Sequence, residues 1–189
     1  YKNLDGLGNF GLQQIISTQT DGAFKISIAD LDGDGNLDVL SASIEDDKIA
    51  WYSNIDGLGN FGSQQIISTL TDGAYDVYCS DLDGDGDMDV LSASFNDDKI
   101  AWYENLDNAG NIGAQQIISL QADAAGSVLS ADLDGDGDQD VVSASQDDNK
   151  IAWYENTDGQ GSFGTQQIIS SEAMGAFDVF SADLDGDGD

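Results

Sequence analysis

The chain repeats itself every 51 residues, and each repeat carries the same acidic stretch, D-x-D-G-D-G-x-x-D, beginning at Asp30, Asp81, Asp132 and Asp183. Trp51, Trp102 and Trp153 keep this spacing, as do Tyr1, Tyr52, Tyr103 and Tyr154. A fixed period of this size marks an array of like structural units. It divides the chain into a partial repeat, 1–29, then 30–80, 81–131 and 132–182, and the start of another at 183–189.

Within one period the alternation of residues reads as strands. Residues 74–80 place Tyr75, Val77 and Cys79 on one face, the period-two pattern of a strand. After the acidic stretch, Val90-Leu91-Ser92-Ala93-Ser94-Phe95 carries no charge on either face, which predicts a strand buried on both sides. Asn96-Asp97-Asp98 is a turn signal, and Lys99-Ile100-Ala101-Trp102-Tyr103-Glu104 is a third strand. A loop rich in Asn, Asp and Gly leads to a fourth, 114–119, whose QQIIS recurs at 13–17, 64–68 and 166–170. No helical period appears and there is no proline.

The expected fold is therefore all-β: tandem four-stranded antiparallel blades. Such a sheet, apolar on both faces, must stack on its neighbours. A closed β-propeller and an open or superhelical array both achieve this. The tryptophans alternate with isoleucine, which predicts packing between blades; stacking on sugars is the other use of such residues.

The acidic stretch joins the first and second strands. The candidate ligands are Asp30, Asp32, Asp34, Asn36 and Asp38; Asp81, Asp83, Asp85, Asp87 and Asp89; Asp132, Asp134, Asp136, Asp138 and Asp140; and Asp183, Asp185, Asp187 and Asp189. Positions one, three, five and nine would offer side chains and position seven its carbonyl, so Asn is tolerated there. The glycines let the loop curl until alternate carboxylates converge. Clustered carboxylates repel unless a cation lies among them. An all-oxygen set favours Ca2+ over zinc, copper or magnesium, about one ion per repeat. An EF-hand is excluded, because its twelfth position must be an acid and its flanks helices. Here position twelve is Ser41, Ser92 and Ser143, between strands.

The formal net charge is −32, from 37 acidic and 5 basic residues, and 40% of the chain is hydrophobic. That balance excludes a phosphate-binding surface and disfavours anionic membranes. No apolar run reaches the roughly 18–20 residues of a spanning helix. There is no histidine, and the single cysteine, Cys79, aligns with Ile28, Ser130 and Ser181, a packing position rather than a nucleophile. Catalysis is not expected, nor is a disulfide, and no N-x-S/T sequon is present. Both ends fall inside a repeat, so an excerpt of a longer array is expected.

The calcium-type loop, the following V-L-S-A-S strand and the pairs Phe10-Gly11, Phe61-Gly62 and Phe163-Gly164 resemble the FG-GAP/VCBS repeat family, which includes the calcium-binding blades of integrin α-subunit propellers; Ile112-Gly113 departs from the pattern. The near-identity of the repeats is similar to that of bacterial secreted and surface proteins. The resemblance implies seven-bladed propellers used in adhesion or ligand binding, sometimes attached to enzymes; seven blades need about twice this length. It implies an extracellular or cell-surface location and, as partners, further repeats or copies of the array and a surface protein or polysaccharide. A structural fibre and a non-catalytic carbohydrate-binding module are the alternative expectations.

Overall fold

The computed structural model describes residues 1–183. The described chain forms twelve strands in three separate four-stranded antiparallel sheets, each in simple sequence order. The first sheet contains β1 (Ala23–Ala29), β2 (Asp38–Ser43), β3 (Lys48–Tyr52) and β4 (Gln65–Ser68). The second contains β5 (Ala74–Ser80), β6 (Asp89–Ser94), β7 (Lys99–Tyr103) and β8 (Gln116–Ser119). The third contains β9 (Ala125–Ala131), β10 (Asp140–Ser145), β11 (Lys150–Tyr154) and β12 (Gln167–Ser170). The blades are propeller-like and the three sheets do not close a ring.

Each blade is built by the same local chemistry. The acidic loop joins its first two strands. The second strand turns into the third through four residues, the last of them left-handed: Asp47, Asp98 and Asn149, with φ of 54°, 58° and 59°. Asp and Asn tolerate that region because their short side chains bond locally. Across the hairpin, the pairs Ser41–Ala50, Ser92–Ala101 and Ser143–Ala152 keep the sheet thin at its middle. The second strand is almost wholly buried in every blade, as its uncharged faces predict.

The core lies between blades rather than within them. One buried cluster joins Leu31, Leu40, Ile49 and Trp51 of the first blade to Ala74, Val77, Val90 and Tyr103 of the second. The other joins Leu82, Leu91, Ile100 and Trp102 to Ala125, Val128, Val141 and Tyr154. The first strands lie nearest one another, β5 packing against both β1 and β9. Trp51 and Trp102 are 4% and 3% exposed, each facing a loop glycine of the next blade. A Cβ on Gly110 would stand 2.5 Å from the Trp51 ring, and one on Gly161 2.3 Å from Trp102. Phe163 meets Trp102 edge-on, with centroids 6.2 Å apart. Trp51 and Trp102 thus pack between blades, while Trp153 is part-exposed.

Polar ties fix the spacing of the blades. Oδ1 of Asp47 accepts from Gly73 N (2.8 Å), Asp98 from Ala124 N (2.9 Å) and Asn149 from Gly175 N (2.8 Å), each bond running from a hairpin turn to the start of the next blade. Within each hairpin, Lys48, Lys99 and Lys150 pair with Asp46, Asp97 and Asp148 at 2.7 Å, and Lys48 and Lys99 also donate to Gln19 O and Leu70 O of the preceding repeat at 2.8 and 2.7 Å. On the innermost strands β1, β5 and β9 the equivalent positions are Lys25, Asp76 and Ser127, which with Asp178, one period further on, line a cavity of about 600 Å3. Asp76 is buried; it lies 3.5 Å from Lys25 Nζ and accepts from Val128 N at 3.1 Å. Burial raises its pKa above the ordinary carboxylate value, against the pull of those partners.

Candidate metal centres at the acidic loops

The three described loops follow the first strands, between β1 and β2, β5 and β6, and β9 and β10. Their glycines take left-handed φ: Gly33 and Gly35 at 68° and 86°, Gly84 and Gly86 at 75° and 98°, Gly135 and Gly137 at 78° and 99°. This alternation folds the loop around the first carboxylate. Asp81 accepts from Gly84 N (2.8 Å) and Gly86 N (3.1 Å), and Asp132 from Gly135 N (2.8 Å) and Gly137 N (3.0 Å). Asp30 accepts from Gly35 N at 2.8 Å. The fifth residue caps the seventh: Asp85 accepts from Asp87 N (2.9 Å), and Asp136 from Asp138 N (2.9 Å).

The structure converges carboxylate oxygens of Asp81, Asp83 and Asp85 to within 4.8 Å of one another, and likewise Asp132, Asp134 and Asp136; in the first loop the convergent set is Asp30, Asp32 and Asp38. There Asp34 instead accepts from the Asn36 amide at 2.9 Å. The seventh-position side chains Asp87 and Asp138 stand outside the triads. Asp183 opens the fourth loop, whose Asp185, Asp187 and Asp189 lie outside the described residues.

The ninth position has a second task. Asp38, Asp89 and Asp140 are at most 1% exposed, and each carboxylate accepts two backbone N–H groups. Asp89 holds Leu82 N (2.9 Å) and Asn105 N (2.8 Å); Asp38 holds Leu31 N (3.1 Å) and Asn54 N (2.8 Å); Asp140 holds Leu133 N (3.3 Å) and Asn156 N (2.8 Å). It therefore closes the loop on itself and joins it to the end of the third strand. Burial pushes Asp89 up to about 7, and raises Asp38 and Asp140, with neighbouring loop aspartates adding to the effect. Asp83 and Asp138 are raised as well, first by burial and then by adjacent carboxylates.

These features fit a hard cation. The donors are all oxygen, and in the first loop Asp30 Oδ1 and Asp32 Oδ1 are buried without a hydrogen-bond partner. Buried polar atoms of a native fold find partners, and a cation among the three carboxylates would supply one.

Two residues of the site escape a reading by motif. The one following the third-strand tyrosine, Ser53, donates its hydroxyl to Asp32 Oδ2 at 2.8 Å; its equivalents are Glu104 and Glu155. Next stands a recurrent asparagine. Asn105 Nδ2 donates to Leu31 O of the preceding loop (2.9 Å) and to Met88 O of its own (3.2 Å); Asn156 does the same to Leu82 O (2.7 Å) and Gln139 O (3.3 Å). The periodic Asn3, Asn54, Asn105 and Asn156 were the available signal. No histidine is present, and the part-buried Cys79 thiol is pushed up to about 12 by burial, so it stays protonated at neutral pH.

Comparison with known proteins agrees with this architecture. The model of the FG-GAP-like repeat matches residues 30–92, 81–143 and 132–189. No curated protein matches the chain. Among solved structures, the crystal structure of BBS1N in complex with ARL6DN, soaked with lead, is similar in fold, at 15% identity and a TM-score of 0.50. The likeness covers 84% of this chain and 46% of that one, so the chain spans less than half of that relative. Three family matches in step with three blades and three acid clusters place the chain in the FG-GAP-like repeat family.

Proposed function

We propose that this chain is a calcium-stabilised, non-catalytic repeat scaffold of a secreted or cell-surface protein, presenting its blades for adhesion or protein binding. The observation that carries the reading is the recurrence of one convergent carboxylate cluster in each described blade, at the loop between its two inner strands. Extracellular calcium is millimolar, within the range such modules use. When bound, the ion would supply positive charge for the crowded carboxylate oxygens to coordinate. Asp81, Asp83 and Asp85, Asp132, Asp134 and Asp136, and in the first loop Asp30, Asp32 and Asp38 would hold it, while Asp38, Asp89 and Asp140 also fasten their loops to the sheet. Because the unfolded chain has no preformed cluster, binding would stabilise the fold. Calorimetry of chelator-treated protein, with and without millimolar calcium, tests this: a calcium-dependent rise in melting temperature is expected, and an unchanged transition would overturn the reading.

An assembly role is favoured by one further observation. β1 exposes Phe24, Ile26 and Ile28 at 48%, 65% and 59%, whereas Val77 and Val128, equivalent to Ile26, are each 2% exposed beneath neighbouring blades. That face suits another blade, from the same chain or a second copy. Negative-stain microscopy in calcium distinguishes discs, expected of closed propellers, from filaments. The carbohydrate-binding alternative has less support, since Trp51 and Trp102 are buried between blades.

A further inference from the structure

The described loops are alike in backbone but not in charge. The first carries Asn36 where the others carry Asp87 and Asp138. It also faces Ser53 where the others face Glu104 and Glu155. Ser53 is no bystander: its hydroxyl donates to Asp32, a member of the convergent triad, at 2.8 Å. In the other blades the same place is fixed by the same backbone. Tyr103 and Tyr154, just before the glutamates, pair with Val90 and Val141, just after the ninth-position aspartates. Asn105 N and Asn156 N, just after them, bond Asp89 and Asp140 at 2.8 Å. The carbonyls of Glu104 and Glu155 accept from Gly113 N and Gly164 N at 2.7 Å, as Ser53 O accepts from Gly62 N at 2.8 Å. The residue is thus clamped beside the loop in all three blades. Its outward reach is held too: Gln116 and Gln167 donate to the glutamate Oε2 atoms at 3.5 and 3.3 Å.

We propose that Glu104 and Glu155 set the charge of the second and third calcium sites from outside the loop motif, and that Ser53, together with Asn36, makes the first a weaker site. The inference rests on the calcium reading above. Calcium affinity in oxygen sites is tuned by charge, and the first loop has two fewer carboxylates around its triad, Asn36 and Ser53 standing where the others have Asp and Glu. In blades two and three the residue beside the loop is a glutamate, and the charge of Glu104 reaches Asp83; in blade one a neutral hydroxyl donates to a triad carboxylate that a cation would share. The array is then graded: as calcium falls, the first blade empties before the others.

The test is a calcium titration by isothermal calorimetry of the chelator-stripped chain at about 0.15 M salt, comparing wild type, Glu104→Gln and Ser53→Glu. Glutamine keeps the shape of glutamate, so the fold is preserved while one charge is lost. Glu104→Gln is expected to weaken one site by about tenfold with stoichiometry unchanged; Ser53→Glu is expected to tighten the weakest site by a similar factor. Variant isotherms that superimpose on the wild type overturn the proposal while leaving the calcium reading intact. Absence of calcium heat in the wild type withdraws both.

Discussion

Asp83 and Asp89 belong to one loop and do opposite things. Asp83 crowds against Asp81 and Asp85, so its charge is a liability without a cation. Asp89 is buried but holds two backbone N–H groups, so its removal leaves both without a partner. Asp83→Asn is therefore expected to abolish much of the calcium-dependent rise in melting temperature while leaving the chelated protein as stable or more so. Asp89→Ala is expected to destabilise by about 3 kcal/mol even in chelator, since each orphaned donor costs about 1–3 kcal/mol. Urea unfolding with and without calcium separates the two. The pH dependence follows from the same groups. A carboxyl whose folded pKa is raised favours the fold at low pH and loses that contribution as pH rises through its folded value. Asp89 near 7, with Asp38, Asp76 and Asp140 also raised by burial, makes the chelated protein more stable at pH 5 than at pH 8. In calcium the trend reverses, because the ligands must be deprotonated. Melting curves at both pH values, with chelator and with calcium, check the sign. The acid positions were legible in the sequence because the motif repeats. The burial of Asp76 was not: alternation marked only Tyr75, Val77 and Cys79 as one face, and it is the packing of β5 between β1 and β9 that covers Asp76.

At the scale of the element, the turns and inner strands were readable and the outer parts were not. The QQIIS stretch is a strand over its last four residues in the three blades, with Ile66, Ile117 and Ile168 58%, 55% and 56% exposed, whereas at 13–17, where the same pattern predicts a strand, it forms none. Its apolar residues look like core in the sequence, yet as the outermost strand it has a partner on one side alone. Likewise, the loop following β7 reads as generic turn residues, although its Gly110 lies under Trp51 of the preceding blade. Gly110→Ala combines that clash with a φ of 77° and is expected to cost about 3 kcal/mol, overpacking and backbone strain together. Gly8→Ala, with nothing within 4 Å, should cost about 1 kcal/mol, from φ alone. Comparing the urea midpoints of the two variants isolates the contribution of the interblade contact. Asn156→Ala removes the donor to two carbonyls, Leu82 O and Gln139 O, and should cost about 2 kcal/mol by the same measurement.

For the whole molecule, the sequence predicted that four-stranded sheets would have to stack, and the two buried clusters lie in the two interfaces between sheets. A blade alone has no interior. The repeats thus share stability as neighbours in a line do, and Trp102→Ala, which empties an interface, should lower the melting temperature far more than Trp153→Ala, whose ring is already part-exposed. A second consequence concerns how such a molecule can change in length. Because each interface joins the back of one period to the front of the next, the place where a period is said to begin is arbitrary. Gain or loss of 51 residues, starting at any phase, restores the same kind of interface, with its recurrent asparagine and acid loop. The array is indifferent to where recombination cuts it, and it grows or shrinks by whole blades, each carrying its own acidic cluster.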